Sequence, residues 1–370
     1  MALASDTTVV TPSINQSFST ASCRRRGATT HTTSTIIPLT TTVNNHHHNH
    51  HPTTPTMPPP LLPTLLTLLT LATPALTHSH LAHILINGQL YHGFDPRPNQ
   101  SNSASRVGWW TSATDDGFVT PANYTHPDII CHRDGASPAA HAPVRAGDRV
   151  HVQWNGWPVG HVGPVLSYIA GCAGLAGDEA GCTGVDKRGL RWTKVDDSDP
   201  VLEFVEGAGE NGGVPGQRWA SDVLIAANNS WQVEIPRGLK TGPYVLRNEV
   251  IALHYAAEED GAQNYPLCMN LWVEGGEGGM ELDGFEATGF YKEDDPGVWL
   301  NVSAGLESYT VPGPTVAVGA TPVPYAEQTI SLFKAEGTPV VVLRGTETAP
   351  FSGGPAPTGE VKARGRYDRS

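Results

Sequence analysis

Charge is scarce in this chain of 370 residues, where Asp, Glu, Lys and Arg together make up only 16%. A coiled coil or helical bundle needs Glu, Lys, Ala and Leu in bulk, so the shortage argues against both. Basic residues are the rarer sign, 23 against 36 acidic, for a net charge of −13. That balance opposes a nucleic-acid partner, which demands a basic face to neutralise phosphates. Long amphipathic helical patterns and internal repeats are also missing. Gly (40) and Pro (31) are abundant instead, and they punctuate the chain into short segments, the pattern of strands joined by loops. The length suits two average domains or one large β-domain with tails.

Residues 1–56 are rich in Ser, Thr and His, with Arg24, Arg25 and Arg26 in a row and a His46–His51 tract broken by Asn49. They offer almost no core and read as a disordered or mis-called leader. From Met57 an apolar run reaches Ala75-Leu76-Thr77. It is too short and Pro-broken to span a membrane, and its small residues suit a signal-peptidase site, although a basic n-region is missing. Residues 57–77 are therefore expected to be a signal peptide with Met57 as the true start, so that the mature, secreted chain begins at His78. Residues 1–77 hold three Arg, one Asp and Cys23, leaving 20 basic residues, 35 acidic residues, a net charge of −15 and four cysteines. Four cysteines allow three connectivities. The expected one closes a local loop between Cys172 and Cys182 and leaves Cys131 with Cys268 as a long-range staple. Sequons at Asn99, Asn123, Asn228 and Asn301 agree with export.

Alternation at period two over Arg149–Trp154, Trp231–Ile235, Tyr244–His254 and Asn270–Glu274 predicts the strands of a β-sandwich. Long loops over 95–148 and 170–222 are expected to be functional surfaces. After Val311-Pro312-Gly313-Pro314 the character changes to repeated Pro, Gly, Thr and Ala without Cys. Residues 315–370 are expected to be a low-complexity tail, with Pro339–Leu343 as one strand-like run. The folded domain is thus placed at 78–314.

An N-terminal His offers two nitrogens from one residue, because an α-amine of pKa about 7.7–8.0 yields its proton to a metal near neutrality. A second imidazole opposite would complete a planar three-nitrogen set that suits Cu(II) better than tetrahedral zinc. A rival arrangement wraps Cu(II) with the amine, backbone amides and His80, unless 78–86 is a strand. Taken alone, His78 leaves that choice open.

Other segments bear on it. HSHLAHILING from His78 is followed by Thr114-Asp115-Asp116-Gly117-Phe118-Val119, Pro127-Asp128-Ile129-Ile130-Cys131-His132 and Trp157-Pro158-Val159-Gly160-His161-Val162-Gly163-Pro164. Then come Trp219-Ala220-Ser221-Asp222, Leu224 to Trp231, Tyr244-Val245-Leu246-Arg247, Ile251-Ala252-Leu253-His254 and Gly261-Ala262-Gln263-Asn264-Tyr265-Pro266-Leu267-Cys268. From His78 to about Pro314 the series closely resembles the fungal lytic polysaccharide monooxygenases of auxiliary-activity family nine, formerly glycoside hydrolase family 61. The resemblance implies an all-β, immunoglobulin- or fibronectin-III-like sandwich with long loops, holding one copper ion in a histidine brace. It implies His78, His161 and the axial Tyr265 as metal ligands, with His254 and Gln263 as the catalytic pair that hydrogen-bonds the oxygen co-substrate. It further implies a secreted enzyme oxidising C1 or C4 of a β-1,4-linked glucan, as a monomer with an external electron donor and no nucleic-acid or membrane partner.

The same sandwich without that catalytic pair would be a carbohydrate- or copper-binding protein. A hydrolase would need two carboxylates about 5–9.5 Å apart, and no motif nominates them. His80 is placed at the edge of the site but not as a ligand, and His83, His92, His126, His132, His141 and His151 are given surface or hydrogen-bonding roles. The chain departs from the resemblance where substrate aromatics are expected. Loop 95–108 has none, Pro314 is followed by Thr315-Val316-Ala317, and Val302-Ser303 follow Asn301. Of Trp109 and Trp110 at most one can face outward, because neighbours on a strand point opposite ways. No Cys-rich cellulose-binding module is recognisable in 315–370. The expectation is weak retention on microcrystalline cellulose and a softer β-glucan or hemicellulose as substrate.

Overall fold

A computed structural model describes residues 79–100, 103–175, 181–198, 201–210, 212–282 and 284–342. The expected leader, signal peptide and His78, and residues 343–370 of the expected tail, lie outside the described residues. The strands are β1 (Leu81–Ile86), β2 (Gln89–His92), β3 (Ala140–Arg145), β4 (Arg149–Trp154), β5 (Val165–Gly171), β6 (Thr193–Asp196), β7 (Leu202–Phe204), β8 (Gln217–Trp219), β9 (Ser230–Glu234), β10 (Gly242–Ala252), β11 (Gln263–Glu274), β12 (Ala335–Glu336) and β13 (Val340–Val341). Two short helices, α1 (Asp128–Cys131) and α2 (Ala220–Ala226), sit in the connections. Among the described residues no helix is long and apolar enough to cross a membrane.

A five-stranded sheet ordered β12-β2-β1-β4-β9 packs on a six-stranded sheet ordered β13-β3-β11-β10-β5-β6. This is the expected immunoglobulin-like sandwich. Its second sheet is buried on both faces, and β10 shows how. Tyr244, Leu246, Val250 and Ala252 point into the core between the sheets with Trp154 and Trp231, whereas Val245 and Ile251 face a second apolar cluster with Tyr168, Trp192 and Phe290. That second cluster is built largely by long loops and α1. Two disulfides lie in it, Cys131–Cys268 and Cys172–Cys182, the pairing expected from the sequence.

On the loop-covered face β10 also carries Arg247 and Glu249, both fully buried. Arg247 donates to Glu249 at 2.7 Å and to the carbonyls of Ile129 and Ile130 at 2.9 Å each. Glu249 accepts further from Asn264 at 2.8 Å and from the Tyr291 hydroxyl. Every strong donor and acceptor is matched, which is the condition for burying an ion pair.

Three expectations need correction. Loop 95–148 contains β3, and loop 170–222 contains β6, β7, β8 and the start of α2. β3 carries Pro143 and runs parallel to β11 over Leu271–Glu274, so its alternation is broken in the sequence. The placing of 315–370 wholly in a tail is also corrected, because residues 315–342 pack on the sandwich. Val323, Tyr325 and Val342 are buried, and the Tyr325 hydroxyl donates to the Val201 carbonyl at 2.7 Å. The Gln328 side chain imitates a strand on the free edge of β9: its Oε1 accepts the Gln232 amide at 2.7 Å and its Nε2 donates to the Gln232 carbonyl at 3.2 Å. β12 then adds parallel to β2, and β13, inside the strand-like run, adds antiparallel to β3. Covering sheet edges satisfies backbone groups that composition cannot register.

Candidate active site

The site lies at one end of the sandwich, where β4, β10 and β11 deliver their loops. Beyond β4, Asn155 anchors the first described residues: its Oδ1 accepts from Ser79 Oγ at 2.6 Å and from the His80 amide at 2.9 Å. The following loop is closed by Trp157, whose indole N–H donates to the His161 carbonyl at 2.9 Å. Gly160 takes φ +88°, a conformation that a side chain would strain. Gly163 admits no Cβ, which would meet the Ile251 carbonyl oxygen at 1.9 Å. This close approach lets the Leu253 amide donate to the Val162 carbonyl at 2.8 Å, fastening the His161 loop to the end of β10.

His254 follows directly, and the rings of His161 and His254 lie 4.0 Å apart. Gln263 and Tyr265 alternate on β11 and so share a face. The Tyr265 phenol donates to Gln263 Oε1 at 3.1 Å. Trp157 packs edge-on against Tyr265 at 5.0 Å and against His161 at 6.3 Å, and Phe118 lies 5.9 Å from Tyr265. Burial, with Asp115 and Asp116 nearby, holds the Tyr265 phenol well above its ordinary pKa, so it remains a proton donor at neutral pH. Burial lowers the His254 pKa, and its Nδ1 is buried without a hydrogen-bond partner among the described residues.

Of the residues picked out by sequence, His161, His254, Gln263 and Tyr265 are therefore brought together, while His78 lies outside the described residues. Among the described residues no group of three or more His, Cys, Asp and Glu side chains is arranged to hold a metal. His80 is spoken for: its Nδ1 lies 2.9 Å from Asp116 and its Nε2 3.8 Å from Asp95. His132 and His141 are buried and bonded to backbone groups, and His126 pairs with Asp128. Trp157 and Asn155, which position the loop, were not picked out beforehand. An aromatic before Pro158 was the available signal for the first, and nothing distinguished Asn155.

Imidazole, phenol and amide groups converge here at one end of an immunoglobulin-like sandwich. Residues 78–309 match AA9, Auxiliary Activity family 9 (formerly GH61), and the chain belongs to that family; it is a polysaccharide-cleaving monooxygenase. It is 41% identical over 293 residues to AA9 family lytic polysaccharide monooxygenase H of Thermothelomyces thermophilus, covering 78% of this chain and 77% of that one. It is 43% identical over 253 residues to lytic polysaccharide monooxygenase A of Malbranchea cinnamomea, covering 68% and 71%. Among solved structures, the extended catalytic domain of H. jecorina LPMO9A is similar with a TM-score of 0.62 and 40% identity, covering 72% of this chain and all of that one.

Proposed function

We propose that this enzyme is secreted, acts as a monomer, and uses one copper ion to oxidise C1 and/or C4 of a β-1,4-linked glucan, with an external electron donor and dioxygen or peroxide. The observation that supports it most is the pairing of His161 with His254 beside the Tyr265–Gln263 hydrogen bond. The donor set fits copper: imidazole nitrogens, which suit it, a neutral phenol and, among the described residues, no carboxylate cage of the kind that hard cations prefer. The amine and ring of His78 and the ring of His161 would hold the ion as nitrogen ligands, with the Tyr265 phenol as a further ligand.

Copper bound there would supply the one-electron chemistry that activates oxygen toward a glycosidic C–H bond. The chain's own residues hold and move the protons. His254 Nδ1, buried and unpartnered among the described residues, is an atom at which a proton can be held for the co-substrate. Tyr265 keeps its proton and spends it on Gln263 Oε1, which orients the amide so that its N–H₂ is the group left to donate. Trp157 and Phe118 pack around Tyr265 and keep water from that phenol.

The reading is tested on protein beginning at His78, titrated with Cu(II) and followed by electron paramagnetic resonance. One tight site with nitrogen couplings is expected. One extra residue before His78 moves the amine out of the chelate and should weaken binding sharply, and equal affinity with an unchanged spectrum would overturn the assignment.

A further inference from the structure

We propose that Tyr255 and Trp299 form a sugar-stacking subsite beside the paired histidines, taking the pyranose rings of a neutral polysaccharide chain. The inference rests on the polysaccharide-cleaving reading and adds where the chain lies and which chemistry it carries. Its starting point is the loop joining β10 to β11, which holds His254 at one end and Gln263 at the other. Tyr255 is 53% exposed, and its ring lies 4.4 Å from that of His254. The next residue, Ala256, is buried, and its carbonyl accepts the Leu300 amide at 3.0 Å. That bond brings the neighbour of Leu300, Trp299, to the same loop with half of its surface in water.

Trp299 also lines a cleft of about 350 Å³ with Pro121, Ala122, Glu259, Asp260 and Glu293. One wall is fixed, because Asp260 accepts the Ala122 amide at 2.7 Å. The volume falls at the lower end of the range for ligand pockets, roughly 300–1,000 Å³. A single exposed aromatic is ordinary on any protein surface. Two flanking one hydrogen bond on a loop that carries reacting residues are not explained by packing, since neither ring is buried. Rigid rings cover the apolar face of a pyranose at small entropic cost. The carboxylates can accept sugar hydroxyls, and they would repel a carboxylated chain.

Trp110 provides the contrast. It is 46% exposed while Trp109 is buried. Along β11, Val119 bridges Asn264 at the site end, whereas Gly108 bridges Met269 five residues further down and Trp110 bridges Ala136. Trp110 therefore lies on the flank. Loop 95–108 and the positions after Pro314 lack aromatics, whereas the side of His254 carries two exposed rings.

The test is affinity electrophoresis through hydroxyethylcellulose, without metal or reductant, so that oxidation plays no part. Trp299→Ala and Tyr255→Ser should each retard roughly tenfold more weakly than the parent, the size expected for truncating an anchoring aromatic. Trp299→Phe should fall between, and Trp110→Ala should match the parent. Carboxymethylcellulose should retard the parent less than hydroxyethylcellulose does, and Glu259→Gln with Glu293→Gln should narrow that gap. Equal retardation of the parent, Trp299→Ala and Tyr255→Ser, or no retardation of the parent, would overturn the subsite. A parent that binds glucan through these residues yet releases no oxidised sugar would leave the subsite standing and remove the activity reading instead.

Discussion

Trp157 connects the reacting groups more directly than any residue picked out by sequence, since its indole holds the His161 carbonyl and its ring packs on Tyr265. Trp157→Phe keeps the ring and loses the N–H donor. Copper affinity, followed by titration, should fall severalfold while the melting temperature changes little. If His161 holds copper as proposed, His161→Ala should abolish oxidised products. Gln263→Ala should leave copper binding intact and slow turnover, because groups behind a ligand tune rather than hold the metal. Full copper affinity and product yield in His161→Ala would exclude it as a ligand. Behind the site, Glu249 is the only anion contacting buried Arg247 among the described residues. Glu249→Gln leaves that guanidinium uncompensated, and urea unfolding should show a loss of about 3–5 kcal/mol.

The elements differ in how readable they were, and the reason is burial. β4 reads correctly from Arg149 to Trp154 because one of its faces is apolar and the other polar. β5, with VLSYIAG buried along almost its whole length, shows no alternation, so its strand was invisible to a period-two pattern. In β11 only Asn270–Glu274 was legible, since Pro266 and the polar Asn264 interrupt the first half, where Gln263 and Tyr265 serve the site. The site residues themselves were legible only through short motifs shared with a family, because no spacing rule brings His161, His254 and Tyr265 to one place. The segment 315–342 was misread for a different reason: beyond the isolated buried side chains of Val323, Tyr325 and Val342, its contacts are edge pairings and one inserted amide, which carry no compositional signature. Gln328→Ala removes both bonds to the Gln232 backbone and should cost about 1–3 kcal/mol by leaving those groups unpaired. Cutting the chain after Pro314 should lower the melting temperature further and promote self-association through the uncovered edges of β2 and β3, measurable by calorimetry and light scattering. A truncated protein that melts like the parent would show that the segment contributes nothing to the fold.

Across the whole molecule, acid stability sets histidines whose pKa burial lowers against Asp196, a carboxyl whose pKa burial raises. Burial pushes His132 and His141 down to about 4, and burial with the charge of His92 does the same to His83. Each is neutral in the fold and takes up a proton on unfolding, so its contribution is complete above about 6.5 and is lost as pH falls toward 4. Asp196 acts in the opposite sense: burial raises it to about 7, so the folded state holds its proton and gains as pH falls through the same range. At about 1.4 kcal/mol per pKa unit, each histidine contributes at most on the order of 3 kcal/mol and Asp196 on the order of 4, so the three histidines together outweigh the aspartate. Unfolding free energy should therefore fall by several kcal/mol between pH 7 and pH 4. His141 shows where the loss begins. Its Nδ1 donates to the Ala139 carbonyl at 3.1 Å, and its Nε2 accepts the Cys182 amide at 3.0 Å, a bond that protonation destroys. Because β13 pairs with β3 at His141 itself, the C-terminal strand should exchange its amides earliest on acidification. His141→Gln should flatten the pH dependence and Asp196→Asn should steepen it, both read from urea unfolding at stepped pH. Stability that rises steadily from pH 7 to pH 4 in the parent would show that Asp196 outweighs the histidines.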